Sequence, residues 1–202
     1  MSGQLPTSPV ARSANVSSEQ NTIVSVTTSG RVQARQIDGQ KFRMTLTYPP
    51  MTRAEFAPIK AFLMKQRSRL NTFTVIPPTI SNAQGSANET VRVDGAISAG
   101  ATTFSIQDVG VNSVNGFFKA GDYFRFTGQS KVYMIVEDVN INAVGEATTV
   151  TFEPPLRTDV SDTTEIIYDN VDFTVRQTND VQEFSIGTTN LFQYELDVLE
   201  SL

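Results

Sequence analysis

From Lys41 to Tyr48 the chain alternates strictly, with Phe42, Met44, Leu46 and Tyr48 apolar and Lys41, Arg43, Thr45 and Thr47 polar or charged. Only an extended strand, whose side chains point to opposite faces with period two, puts those four apolar residues on one side. The pattern returns near the end of the chain. There Val171, Phe173 and Val175 oppose Asp172, Thr174 and Arg176, and Phe192, Tyr194, Leu196 and Val198 oppose Gln193, Glu195 and Asp197. A mainly β fold is the consequence, built partly of half-buried strands. Upstream, Ile23, Val24 and Val26 predict a strand, Ser29-Gly30 a turn, and Arg31 to Gln36 its partner. Asp38-Gly39 then reads as a hairpin turn into Lys41.

One helix interrupts this pattern. Pro49-Pro50 ends the strand, and Thr52-Arg53-Ala54-Glu55 matches a capping box. In that motif the Thr hydroxyl and the Glu carboxylate satisfy each other's otherwise unpaired backbone N–H groups. Phe56, Ile59, Phe62 and Leu63 recur at helical spacing, with Lys60, Lys65, Arg67 and Arg69 on the other side and toward the C-terminal end. Pro58 predicts a kink or a restart near Ala57. Leu70 to Ile76 reads as a further strand stopped by Pro77-Pro78, and the polar stretch from Thr79 to Glu89 as a linker.

Short strands then come at Val91–Val93, Ala101–Ile106, Tyr123–Thr127, Lys131–Val139 and Ala147–Phe152. Lys131 to Val136 is apolar on both faces and predicts a central strand of a small barrel or sandwich. Residues 83–167 are expected to form this all-β module.

Charge divides the chain. Residues 1–82 hold ten Lys/Arg against Glu19, Asp38 and Glu55, whereas residues 168–202 hold one Arg against seven acids. Because opposite charges on facing strands stabilise a sheet, the C-terminal strands are expected to pair with the N-terminal ones. The middle module is then an insertion. The basic half alternates with apolar residues instead of forming a run, a pattern that fits a solvated or self-association face better than a nucleic-acid footprint.

The 202 residues contain no Cys and no His. That removes thiolate and imidazole metal sites, Ser-His-Asp and Cys-His nucleophile systems, and the usual proton shuttle near neutral pH. Asp159, Asp162 and Glu165, and the adjacent Glu137-Asp138, lack the oxygen-ligand density of a Ca²⁺ loop. Spacing does not decide on a glycosidase carboxylate pair, whose members need only converge in space, but Trp is absent and no motif flanks either acid. Ser130-Lys131 cannot make a local dyad, because neighbours on a strand face opposite ways. Neither a nucleophile elbow nor a phosphate loop is present. Asn115-Gly116 reads as a hairpin turn, and the glycosylation triplets at Asn15 and Asn88 carry little meaning without secretion. Phe117, Tyr123 and Phe124 can be read as a ligand platform or as core. No catalytic residue, cofactor or metal is expected. No apolar stretch long enough for a signal peptide or membrane helix occurs, so synthesis in the cytoplasm and a soluble chain are expected.

The sequence Tyr48-Pro-Pro-Met-Thr-Arg-Ala-Glu-Phe-Ala-Pro-Ile-Lys-Ala-Phe-Leu-Met-Lys-Gln-Arg67, followed by Thr72-Phe-Thr-Val-Ile-Pro-Pro78, resembles tail proteins of siphovirus-type bacteriophages. Ala120 to Gly128, Lys131 to Asp138 and Tyr194 to Val198 carry the same resemblance, which spans nearly the whole chain and concerns architecture more than chemistry. The layout is most similar to distal tail proteins. That resemblance implies a split β-barrel or sandwich belt domain with one α-helix, and an inserted OB- or galectin-like β domain. It also implies a hexameric ring between tail tube and tail tip or baseplate, through which DNA passes, in the virion tail of a phage made in the bacterial cytoplasm. Its partners would be tube and hub proteins. A carbohydrate- or host-surface-binding module, a terminator and a minor tail protein are the neighbouring alternatives.

The expected organisation is a flexible arm over 1–18, a belt domain over 19–82 and 168–202, and the insert over 83–167. Interface candidates are Arg43, Arg53, Lys60 and Arg67, facing Asp172, Glu195 and Asp197 either on a neighbouring subunit or within one chain.

Overall fold

The alternation at Lys41–Tyr48 belongs to a much longer strand. In a computed structural model, which describes residues 3–107, 110, 113–187 and 190–202, β1 (Ser13–Val26) and β2 (Val32–Thr47) form one antiparallel ribbon. Residues 13–18, expected within a flexible arm, are the first part of β1 and pair with Phe42–Thr47. Asp38-Gly39 makes no hairpin turn. Glu19 pairs with Lys41 and Asn21 with Ile37, so residues 38–40 bulge out of β2 opposite one residue of β1. Gly39, at φ 111, takes the backbone shape that a side chain would resist. The true turn is at residues 27–31, where Gly30 N–H donates to the Thr27 carbonyl and Arg31 N–H to the Thr27 hydroxyl.

The capping box forms as expected: Thr52 Oγ1 accepts from Glu55 N–H, and Thr52 N–H donates to the Glu55 carboxylate at 2.8 Å. These bonds, the backbone one first, hold the Glu55 carboxyl below the usual carboxylate range. Helix α1 (Arg53–Gln66) runs through Pro58 without the expected restart and buries Phe56, Ile59 and Leu63. It ends at Arg67, whose left-handed backbone directs its N–H to the Met64 carbonyl. The next strand, β3 (Phe73–Val75), is shorter than expected, and Leu70 is exposed beyond the helix end.

Eleven strands lie between β3 and the last: β4 (Val91–Asp94), β5 (Thr103–Gln107), β6 (Val114–Phe118), β7 (Tyr123–Phe126), β8 (Tyr133–Ile135), β9 (Val139–Ile141), β10 (Thr148–Glu153), β11 (Glu165–Ile167), β12 (Phe173–Gln177), β13 (Ser185–Ile186) and β14 (Phe192–Gln193). The chain ends in β15 (Glu195–Glu200). The fold is mainly β with one helix. One sheet has the order β1-β2-β15-β12-β3, a closed six-stranded barrel the order β10-β5-β4-β11-β7-β8, and β13-β14 and β6-β9 are two-stranded sheets.

By contact density the chain divides into two units, Met1–Phe73 with Val175–Ser201, and Thr74–Thr174 with Leu202. In the first, β2 and β15 place Leu46 against Leu196 and Met44 against Val198, all four buried. A slip of one residue would turn each of these to the solvent side, so burial fixes the register. β15 does pair with β2, but charge is not what aligns them. Arg43 faces Leu199, while Asp197 and Glu195 face Thr45 and Thr47.

In the second unit, Phe104, Phe124, Phe126, Tyr133 and Phe152 fill the barrel. Their rings meet at tilted or edge-to-face angles, with centroids 5.3 Å apart for Tyr133 and Phe152 and 5.4 Å for Phe124 and Phe126. Asn115-Gly116 lies inside β6, at an irregularity in its pairing with β9, and is not a hairpin turn. The segment expected as a linker is tied down. Gln84 N–H donates to Asp122 Oδ1 at 2.8 Å, Ser86 and Ala87 N–H to the carbonyls of Gly116 and Phe117, and Val171 N–H to the Ser81 carbonyl. A Cβ on Gly85 would lie 2.1 Å from the Phe117 carbonyl oxygen.

Replacing Phe152 with Ala should therefore cost about 3–5 kcal/mol of unfolding free energy. Gly85→Ala should also destabilise by forcing residues 85 and 117 apart. Urea denaturation followed by far-UV circular dichroism checks both, and a Gly85→Ala midpoint equal to wild type would contradict the close approach.

Candidate assembly interface

In the first unit, β1 and β2 change character along their length. At the base of the ribbon Phe42, Met44 and Leu46 are buried. Beyond the bulge every described side chain from Glu19 to Ile37 is exposed. Pairing puts Val24 beside Ala34 and Val26 beside Val32 on one face, and Ile23 beside Arg35 on the other. By alternation along β1, Val24 and Val26 share the side of the ribbon that carries Ala14 and Val16 at its base. The apolar face of the sheet thus continues outward onto an arm that nothing in this unit covers. Val24, Val26 and Val32 are 58%, 64% and 61% exposed. A two-stranded ribbon in water is marginal by itself, which makes the grouped apolar face of this one a candidate contact surface.

At the opposite end of the ribbon lies an open cleft of about 520 Å³, walled by Tyr48, Pro50, Phe184 and Tyr194 and carrying Arg12, Glu183 and Glu195. Arg12 N–H donates to the Thr47 carbonyl and closes the ribbon there. Phe56 stacks on Phe192 and tilts against Phe184 and Tyr194, which holds the aromatic wall in place. Lys60 Nζ sits 4.2 Å from the Phe184 ring centroid, a cation–π contact. Burial pushes the Tyr48 phenol up to about 12. It raises that of Tyr194 further, with Tyr48 and Asp197 adding to the shift. Val181, Phe184 and Ile186, on the segment beside the cleft, are exposed apolar residues.

The interface candidates separate into two groups. Arg43 is paired with Glu19 of its own chain, Asp197 accepts from Thr45 Oγ1 at 2.6 Å, and Asp172 is bound by Arg125 at 2.6 Å. These three have partners within the chain. Arg53 and Arg67 are exposed at the two ends of α1, Lys60 is engaged with Phe184, and Glu195 stands exposed in the cleft.

Phe117 and Phe124 have no exposed face, so neither can be a stacking platform. Tyr123 is half-buried and edge-on to Phe173. Phe117 and Phe124 belong to the buried core of the second unit, and Tyr123 does not.

The acids of the second unit fasten loops. Asp159, Asp162 and Asp138 accept the backbone N–H groups of Ala99, Gly95 and Ala120 at 2.7, 2.8 and 3.0 Å. The Ala120 bond and then Lys119 hold the Asp138 carboxyl below the usual range. Glu137 accepts from Thr151 Oγ1. Among the described residues no group of three or more acids converges as a metal site, and no helix is long and apolar enough to cross a membrane.

The sequence singled out Glu195 but missed the cleft. Its walls come from positions 12, 47–50 and 183–195, which only the fold brings together. No protein-family model matches the chain, and no curated protein matches it.

Because Tyr48 keeps its proton when folded up to about pH 12, while an unfolded tyrosine releases it near pH 10, the unfolded state holds fewer protons across that window. Stability should then fall with rising pH between about 10 and 12, by up to roughly 1.4 kcal/mol per pH unit for this group. Urea midpoints measured across the window should fall less steeply in Tyr48→Phe than in wild type.

Proposed function

We propose that this chain is a structural subunit of a bacteriophage tail, assembled as a ring, most like a distal tail protein joining the tail tube to the tip or baseplate. The observation that carries the reading is the exposed arm of β1 and β2, whose apolar face finds no cover in its own unit. A chain that works alone has no use for such a surface, whereas a ring subunit needs one.

In this reading the sheet and α1 form the belt that repeats around the ring, and the barrel unit is an insertion of the OB or galectin kind. The belt is a split barrel closed by its neighbours. The chain needs no catalytic residue or cofactor, its neighbours are tube and hub proteins, and DNA only passes through the lumen. Arg53 and Arg67, exposed on the helix ends, are then available to acids of an adjoining subunit.

The test is the solution mass of the purified chain by light scattering, with negative-stain images of any large species. A closed ring of about six copies of the 22.1 kDa chain is the expected result. A monomer at every concentration up to the millimolar range would overturn the ring.

A further inference from the structure

The arm and the cleft are complementary, and they lie at opposite ends of one ribbon. Residues 20–37 contain Arg31 and Arg35 and no acid. Val24, Val26 and Val32 are exposed on one face of this ribbon, and Arg35 lies beside Ile23 on the other. The cleft has aromatic walls at Tyr48, Phe184 and Tyr194, and Glu183 and Glu195 outnumber its one cation, Arg12. A smaller groove beside it shares Glu183, Tyr194 and Glu195 and adds Asp197 and the exposed Val181. A positive, apolar projection thus meets a negative, apolar recess in chemistry.

The two cannot meet within one chain. Arg12 and Thr47 stand at the cleft, while Val24 and Ala34 are roughly twelve residues further along the same ribbon, about 40 Å away at ~3.3 Å per residue. A continuous paired ribbon does not fold back on its own base.

We infer that the arm of one copy seats in the Tyr48–Tyr194 cleft of the next copy of this chain, with Arg31 and Arg35 against Glu183 and Glu195. The contact uses two different patches, so it is head-to-tail, and repetition closes a ring if the rotation permits. This contact rests on the ring reading and adds which surfaces meet. It also gives the acidic C-terminal segment a role beyond its in-chain pairing with β2.

Charge exchange tests it. The Arg31→Glu/Arg35→Glu variant and the Glu183→Lys/Glu195→Lys variant change exposed residues only, and their far-UV spectra and melting temperatures should match wild type. Each alone should raise the protein concentration needed for ring formation by at least about tenfold, since like charges at a contact cost more than about 1.4 kcal/mol. Mixed in equal amounts they should assemble again, because every contact in an alternating ring then joins opposite charges. The chain carrying all four substitutions should likewise assemble alone.

Wild-type rings with variants that assemble equally well would overturn the arm-to-cleft contact and leave the ring intact. Variants that lose the ring, with neither the mixture nor the fourfold chain restoring it, would also overturn it. A wild-type monomer would remove both the ring and this contact.

Discussion

The first unit depends on the pairing of β2 with β15. This contact joins the beginning of the chain to its end and closes the longest excursion in the topology. Its strength is apolar: Leu46 against Leu196 and Met44 against Val198 cover one face, and α1 brings Phe56, Ile59 and Leu63 to bury. The polar side adds direction, through Thr45 Oγ1 to Asp197 and the Phe42 N–H to the buried Glu200 carboxylate. Exposed ion pairs such as Arg43–Glu19 contribute little by comparison.

The bulge at residues 38–40 then divides β2 into two regimes. On its near side the strand is core; on its far side the same ribbon is bare. Extra residues in one strand strengthen the local twist and re-aim the strand beyond them, so the position of the bulge sets where the sheet stops and the arm begins. The two-residue excess leaves the odd and even faces of the ribbon in phase, which is why apolar side chains on the arm continue the buried side of the sheet.

Local signals in the sequence were accurate where local physics decides. The capping box of Thr52 and Glu55, the alternation at Phe42 to Tyr48 and the apolar residues of α1 all depend on neighbours a few positions away. Asp38-Gly39 and Asn115-Gly116 look like hairpin turns because a glycine free to take positive φ suits both turns and bulges; only the length of the paired strands around them distinguishes the two. Opposite net charges pointed to the right strand partner through the wrong force, since the buried residues of β15 and β2 carry the register and the charged ones face neutral neighbours. The cleft was illegible because its walls are brought together from distant parts of the chain. The arm was half legible: Ile23, Val24 and Val26 marked a strand, but nothing local says that the strand lacks a cover.

The barrel's closure has a different consequence. A closed barrel has no unpaired strand edge, so it offers no backbone on which another chain can extend it. Its loops, fastened by Asp138, Asp159 and Asp162, can therefore gain or lose residues without creating a new route to association. Sequence change at the barrel's loops therefore exposes no strand edge of the barrel, while β1, an outer strand of the open sheet, must retain whatever keeps strangers from adding to it.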